Sequence, residues 1–258
     1  MPTLIPTIII SVFGLIFVGI TGGIAVFFLR KLQKFTSVAL TPVADVEEPM
    51  GKVQGIVVAD EDALMKAPFS NVECVGYYLL VEQIQMRMVT ETVGNRRVTR
   101  MKREWVTVFS HVEAVEFAIK DKSGSADVDL TGVGSFDISK PENIEKGQLN
   151  FDGKAWRRLE DEFSEFNDFH DGEYRATEQL ILPGDKLLVF GSVSLKGDNP
   201  LFRINKKKGA KELTLTDRSD EEMTSRYKKF AIGFGIASCC LCLLFVGIVV
   251  FVNVMMKH

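Results

Sequence analysis

Two stretches of the chain carry no charged residue, one over residues 4–29 and one over residues 230–256. A hydrocarbon core about 30 Å thick takes about 20 helical residues, so each stretch can span a bilayer with some tilt. Between them the pattern changes. Residues 30–50 read as a linker that closes on Thr41-Pro42 and Glu47-Glu48-Pro49. Residues 51–218 read as one soluble domain of short β-rich runs separated by turn residues. Residues 52–59 are rich in β-branched side chains, and residues 73–88 form a longer run that Gly94-Asn95 turns into a return strand through Val108. Residues 115–119 and 126–130 flank Asp121-Lys122-Ser123-Gly124 as a hairpin, and residues 180–181 and 186–195 flank Pro183-Gly184-Asp185.

One segment breaks the strand period. Between residues 154 and 169, Trp156, Leu159, Phe163, Phe166 and Phe169 recur at spacings of three or four. Glu160, Asp161, Glu162 and Glu165 take the opposite side, which predicts an amphipathic helix. Its acidic polar face is unlike the basic face of a helix that lies on a membrane, so it is expected to pack on its own domain. Residues 219–229 read as a more polar juxtamembrane helix leading into the second span. The expected fold is two transmembrane α-helices flanking a predominantly β (α+β) domain, a small barrel or sandwich with one packed amphipathic helix.

Composition changes this picture little. The 258 residues are 46% hydrophobic, with net charge −3 and mean hydropathy +0.11, and the hydrophobic excess sits in the two terminal stretches. The near-neutral balance gives no reason to expect nucleic acid as a partner. The first stretch is longer than a signal-peptide core and has no Lys or Arg before it, which reads as a retained anchor. Arg30, Lys31 and Lys34 follow it, and Arg226, Lys228 and Lys229 precede the second span. The positive-inside rule then places the middle domain in the cytoplasm and both termini outside, on a plasma (inner) membrane.

Small residues in the spans, Gly19 and Gly23 in the first and Gly233 and Ala237 in the second, are candidates for helix packing within the chain or in a homo-oligomer. Neither span holds an ionisable acidic or basic residue, which argues against a proton relay. Cys239, Cys240 and Cys242 fall inside the second span and read as packing residues, leaving Cys74 in the domain. Two basic clusters are candidate contacts for anionic lipid or a protein partner: Arg96, Arg97, Arg100, Lys102 and Arg103 on the long hairpin, and Lys206, Lys207 and Lys208 near the second span. No phosphate loop, nucleophile elbow or His-Glu-x-x-His is present. Two catalytic alternatives stand open: Cys74 with His111 as base, and an Asp168, His170, Asp171 group. No cofactor and no metal are expected.

The order of motifs resembles the membrane-flanked domain of the GIDE family, also called the BAM ("beside a membrane") domain. The resemblance covers most of residues 52–250. It runs from the first strand through Leu64, Ala67-Pro68-Phe69-Ser70 and Glu73-Cys74-Val75 to the Phe117, Asp121 and Gly124 hairpin. Its clearest piece is Glu178-Gln179-Leu180 followed by Leu182-Pro183-Gly184-Asp185, an apolar strand and Gly191. Leu201-Phe202-Arg203-Ile204 and the polar helix before the second span complete it. The family includes mitochondrial and chloroplast outer-membrane ubiquitin ligases, whose Cys/His-rich RING follows the second span, as well as prokaryotic proteins. This chain carries no RING and is similar to the prokaryotic branch. The resemblance therefore implies a membrane-anchored, non-catalytic binding or scaffolding module, with ligase activity not expected from this chain alone.

Overall fold

The computed structural model describes residues 4–93, 96–131, 133, 137–138, 143–145, 154–165, 173–196, 199–203 and 213–255. Three α-helices occur among them: α1 Leu4–Ser37, α2 Lys154–Glu162 and α3 Asp220–Met255. The chain divides into two compact units. One holds the two terminal helices, and the other is Leu40–Arg218.

In the first unit α1 and α3 are both long and apolar enough to cross a membrane. A helix is the form that satisfies every backbone group within one apolar segment. The two run antiparallel: Phe35 meets Tyr227 edge-on at 5.6 Å, Phe28 stacks on Phe230 at 5.0 Å, and the Ser238 hydroxyl donates to the Val18 carbonyl at 3.2 Å. Their close approach passes through Gly14, where a Cβ would lie 2.7 Å from the Phe245 ring. The glycines expected to pack the helices do not do so within this pair, because at Gly19, Gly23 and Gly233 an added Cβ meets nothing within 4 Å. Ala237 is likewise exposed. The Gly-x-x-x-Gly spacing marks one helix face, but the large Phe245 ring decides which glycine is needed. α1 also runs on through Arg30 and Lys34 to Ser37, so the first part of the expected linker is helical. Arg, Lys and Gln sustain a helix well. At the other end α3 opens on a capping box: Ser219 Oγ accepts from the Glu222 amide at 3.2 Å, and the Glu222 carboxylate accepts from the Ser219 amide at 3.0 Å.

The second unit contains the described strands: β1 Met50–Val58, β2 Met65–Lys66, β3 Glu73–Cys74, β4 Gly76–Val93, β5 Arg96–Ala114, β6 Phe117–Lys120, β7 Ser125–Asp129, β8 Asn143–Glu145, β9 Tyr174–Ile181, β10 Lys186–Lys196, β11 Asn199–Arg203 and β12 Leu213–Thr216. Five of them close a barrel in the order β1-β6-β7-β11-β10, with β10 returning to β1 and β12 added beside β10. β7 and β11 pair in parallel and the other neighbours antiparallel, the strand order of an OB-type barrel. Alternate residues point inward, so Val53, Val57, Ile119, Val128, Val189 and Phe202 make a buried core. Gly55 lets β1 and β6 approach, since a Cβ there would lie 2.6 Å from both the Lys120 carbonyl and the Ile119 side chain. Leu182 to Asp185 is a tight turn in which the Asp185 amide donates to the Leu182 carbonyl at 3.1 Å, and Gly184 supplies the positive φ of 92°.

Two insertions leave this barrel, β2 to β5 between β1 and β6, and β8, α2 and β9 between β7 and β10. Together they build a second sheet in the order β5-β4-β9-β8. Tyr77, Leu79 and Val81 of β4 face a second core that Trp156 and Leu159 of α2 complete. This α2 ends at Glu162, short of the expected residue 169. Glu160, Asp161 and Glu162 crowd its C-terminal end, where the helix dipole is already negative. Phe166 and Phe169 lie outside the described residues.

A side-chain clip joins the segment before the barrel to the β6–β7 turn. The Asp121 carboxylate accepts from the Val43 amide at 3.0 Å, the Ser123 hydroxyl at 2.6 Å and amide at 2.7 Å, and the Gly124 amide at 3.0 Å. Desolvation pushes its pKa up, but these four donors outweigh it and hold the group at about 2.

Gly55→Ala should destabilise the domain by about 1–3 kcal/mol, read as a lower unfolding temperature in detergent, whereas Gly23→Ala should melt with the parent chain. Equal midpoints for both variants would contradict the close β1–β6 approach. The Asp121 pKa is lowered on folding, so its contribution is present above the unfolded value of about 4 and is lost as pH falls towards about 2. Asp121→Ala should therefore unfold more easily than the parent at pH 7, with the gap narrowing as denaturation is repeated between pH 4 and pH 2.

Candidate functional site

The chemically promising residues of the domain lie around the second core. Glu178 in β9 is fully buried, and its two carboxylate oxygens accept the amides of Phe69 and Ser70, each at 3.0 Å. Arg158 of α2 donates to the carbonyl of Pro68 at 3.2 Å and to that of Phe69. Cys74 sits beneath this loop, in β3 opposite Met65, with no solvent exposure. Burial, with the negative Glu178 nearby, pushes its thiol up to about 12. A thiol so held is protonated at neutral pH and is a poor nucleophile.

His111 lies elsewhere, in β5 opposite Leu79. Its ring packs against Phe163 at 4.9 Å, Tyr77 at 6.1 Å and Phe109 at 6.2 Å, and Nε2 stands 3.8 Å from Glu113. The Tyr77 hydroxyl donates to Glu113 at 2.7 Å. Burial and that bond raise the phenol's pKa, and burial with the neighbouring Glu113 raises that of Glu162. The arrangement locks the end of α2 to the sheet, and it does not set His111 against Cys74 as base to nucleophile. Asp168, His170 and Asp171 lie outside the described residues. Among the described residues no group of three or more His, Cys, Asp or Glu could hold a metal ion.

Two features open to solvent remain. A cleft of about 320 Å³ on the barrel wall is lined by Val58, Ala118 and Leu201 together with the acidic Asp60, Glu116 and Asp127. The other is the long hairpin. β9 pairs with β4 only as far as Gln83, while β4 and β5 continue together out to Val93 opposite Arg96. The basic residues named from sequence, Arg96, Arg97, Arg100, Lys102 and Arg103, all fall on β5 of this ribbon. Lys206, Lys207 and Lys208 lie outside the described residues. Sequence reasoning missed Arg87, opposite Lys102, and the exposed Met86, Met88 and Met101. The signal was there in the period-two alternation of residues 84–89, but methionines in a strand pattern read as core.

A variant with Cys239, Cys240 and Cys242 replaced by Ser leaves Cys74 as the single thiol. In the folded protein at pH 8 it should react with a maleimide at least about tenfold more slowly than after denaturation. Labelling at equal rates would mean that Cys74 is open and ionisable.

No curated protein and no solved structure matches the chain. A family model, GIDE, described as E3 ubiquitin ligase, matches residues 87–250. That span is more than half of the chain, and it takes in the ribbon from Arg87, α2, β9, the Leu182–Asp185 turn, most of the barrel and most of α3. Flanked by two membrane-length helices, carrying the GIDE motifs in order and matched by the family model, the chain belongs to the GIDE family.

Proposed function

We propose that this chain is a membrane-anchored, non-catalytic scaffolding module that presents its GIDE domain to a protein partner at the cytoplasmic face of a plasma (inner) membrane. The observation that carries this reading is the state of the groups that would do chemistry. Cys74 is buried as a thiol, Glu178 is used up on two backbone amides, and Tyr77 is tied to Glu113. Each is spent on holding the fold. The family description as ubiquitin ligase does not transfer easily. Two four-coordinate RING zinc ions need eight ligands, whereas these residues offer four cysteines and three histidines, three of the cysteines in a membrane helix.

The orientation has a geometric support. Phe35 beside Tyr227 brings Arg30, Lys31 and Lys34 to the same end of the helix pair as Arg226, Lys228 and Lys229. The positive-inside rule then acts on both spans together. An OB-type barrel invites a nucleic-acid reading, but fold alone does not carry function. The Asp60, Glu116 and Asp127 around the barrel cleft would repel a polyanion. A structural homo-oligomer is the second reading, favoured by the open space beside Gly19, Gly23 and Gly233.

Cross-linking in intact membranes should give discrete adducts of this chain with a different protein. Adducts of the chain only with itself would favour the homo-oligomer, and none at all would sink the scaffold. In sealed vesicles an added protease should reach the domain only when the cytoplasmic face is outward. Ubiquitin transfer above background with activating and conjugating enzymes would overturn the non-catalytic reading.

A further inference from the structure

Resting on the scaffolding reading, we propose that the outer edge of β5 in the projecting β4–β5 ribbon is the docking strand for an extended acidic segment of the partner protein. The Ile84 amide still donates to the Glu173 carbonyl at 2.9 Å. Beyond it, among the described residues, β4 and β5 pair only with each other. At about 3.4 Å per residue the ten pairs from Ile84 to Val93 make a ribbon about 34 Å long. A two-stranded ribbon is marginal alone in water, and β5, the last strand of its sheet, offers an unshared row of backbone donors and acceptors.

The ribbon's two faces say what kind of strand would complete it. Paired residues share a face, so Met88 stands with Met101 and Met86 with Arg103 on one side. These methionines are 55% (Met86), 74% (Met88) and 67% (Met101) exposed. Methionine is an adaptable contact residue, and three exposed together make a poor solvent-facing surface. The opposite side carries Arg87 with Lys102, and Arg100. Arg87 and Lys102 share the single carboxylate of Glu104 at 3.8 and 3.6 Å, and Arg103 lies 3.7 Å from Glu173. All three cations remain more than 60% exposed. Such surface pairs are weak, and the field along β5 stays positive.

A strand laid along β5 would turn successive side chains to alternate faces. Acidic residues would meet Arg100 and Lys102, and apolar residues between them would cover Met101 and Met88. Backbone pairing supplies affinity and the alternation supplies selectivity. The same row of cations repels the β5 edge of a second copy, so it excludes self-pairing while admitting an acidic strand.

The test uses the full chain in nanodiscs of phosphatidylcholine and a fluorescent peptide of about ten residues alternating Glu and Val, with binding followed by anisotropy. Binding should weaken about tenfold or more in an Arg100→Glu, Lys102→Glu variant. It should also be lost when every second peptide amide is N-methylated, which keeps the charge and blocks the edge. An unchanged melting temperature shows that the variant is folded. No binding, or equal binding by the methylated peptide or by the variant, overturns the proposal. So does flotation of the nanodiscs with phosphatidylserine vesicles that depends on Arg100 and Lys102, which assigns the edge to a lipid surface. Each of these failures leaves the cross-linking result standing, so the docking strand and the scaffold can fail separately.

Discussion

A carboxylate removed from water must find its donors inside the protein, and the way Glu178 finds them holds the second sheet together. Its oxygens take the amides of Phe69 and Ser70, more than a hundred residues away in sequence. The carbonyls of Pro68 and Phe69 take the guanidinium of Arg158. The short loop therefore lies between an anion from β9 and a cation from α2, with its peptide dipoles pointing from one to the other. The loop closes on itself through the Asn71 amide, which donates to the Ala67 carbonyl at 2.8 Å, and Asn71 takes a positive φ of 63° that asparagine tolerates. Removing one partner from such an arrangement leaves a buried polar group unmet, which costs far more than the bond is worth when made. Three elements that are distant in sequence thus stand or fall together: the loop before β4, β9 and the amphipathic helix.

This constraint also explains the ribbon. The barrel closes on its own five strands, and beyond the base, where Val75, Ile181, Tyr78 and Val112 pack on its core, the two insertions are stabilised by each other. They manage this only where β9 reaches, and β9 has 8 residues against 18 in β4 and 19 in β5. The excess of β4 and β5 has no third strand and no helix beneath it among the described residues. The face of β4 that carries Tyr77, Leu79 and Val81 under α2 continues as Gln83, Gln85 and Arg87, while the opposite face carries the exposed Met86 and Met88. A single strand therefore changes from core element to projecting arm without changing its backbone.

The parts of the fold legible in the sequence were those fixed by local chemistry. Two charge-free stretches announced the helices, Pro183-Gly184 announced the turn, and Asp121 to Gly124 announced the hairpin that Asp121 clips. Partition was harder to read. Nothing local tells that β4 and β10 belong to different sheets, because that depends on which insertion finds which partner. The end of α2 was misjudged because the apolar period continues past Glu162 while the acidic run opposes the helix dipole. The helix contact at Gly14 was missed because it depends on Phe245, more than two hundred residues away. Of the candidate surface, the basic residues of β5 were visible as a cluster and the exposed methionines among them were not.

That contrast bears on what the domain is for. Residues that look reactive in a list, Cys74, Tyr77, His111 and Glu178, are drawn into packing, hydrogen bonds and ring contacts that fix the sheet to α2. Residues that look ordinary, Met, Arg and Lys along a strand, stand exposed on an arm that its own sheet does not support. Here the perturbed Cys74 and Tyr77 lie in the interior, and a cleft on the barrel is bordered by Asp60, Glu116 and Asp127. The energetic investment of this fold is in rigidity at the base of an extended arm. Rigidity there fixes where the exposed ribbon starts, while the ribbon itself has only its own two strands to hold it.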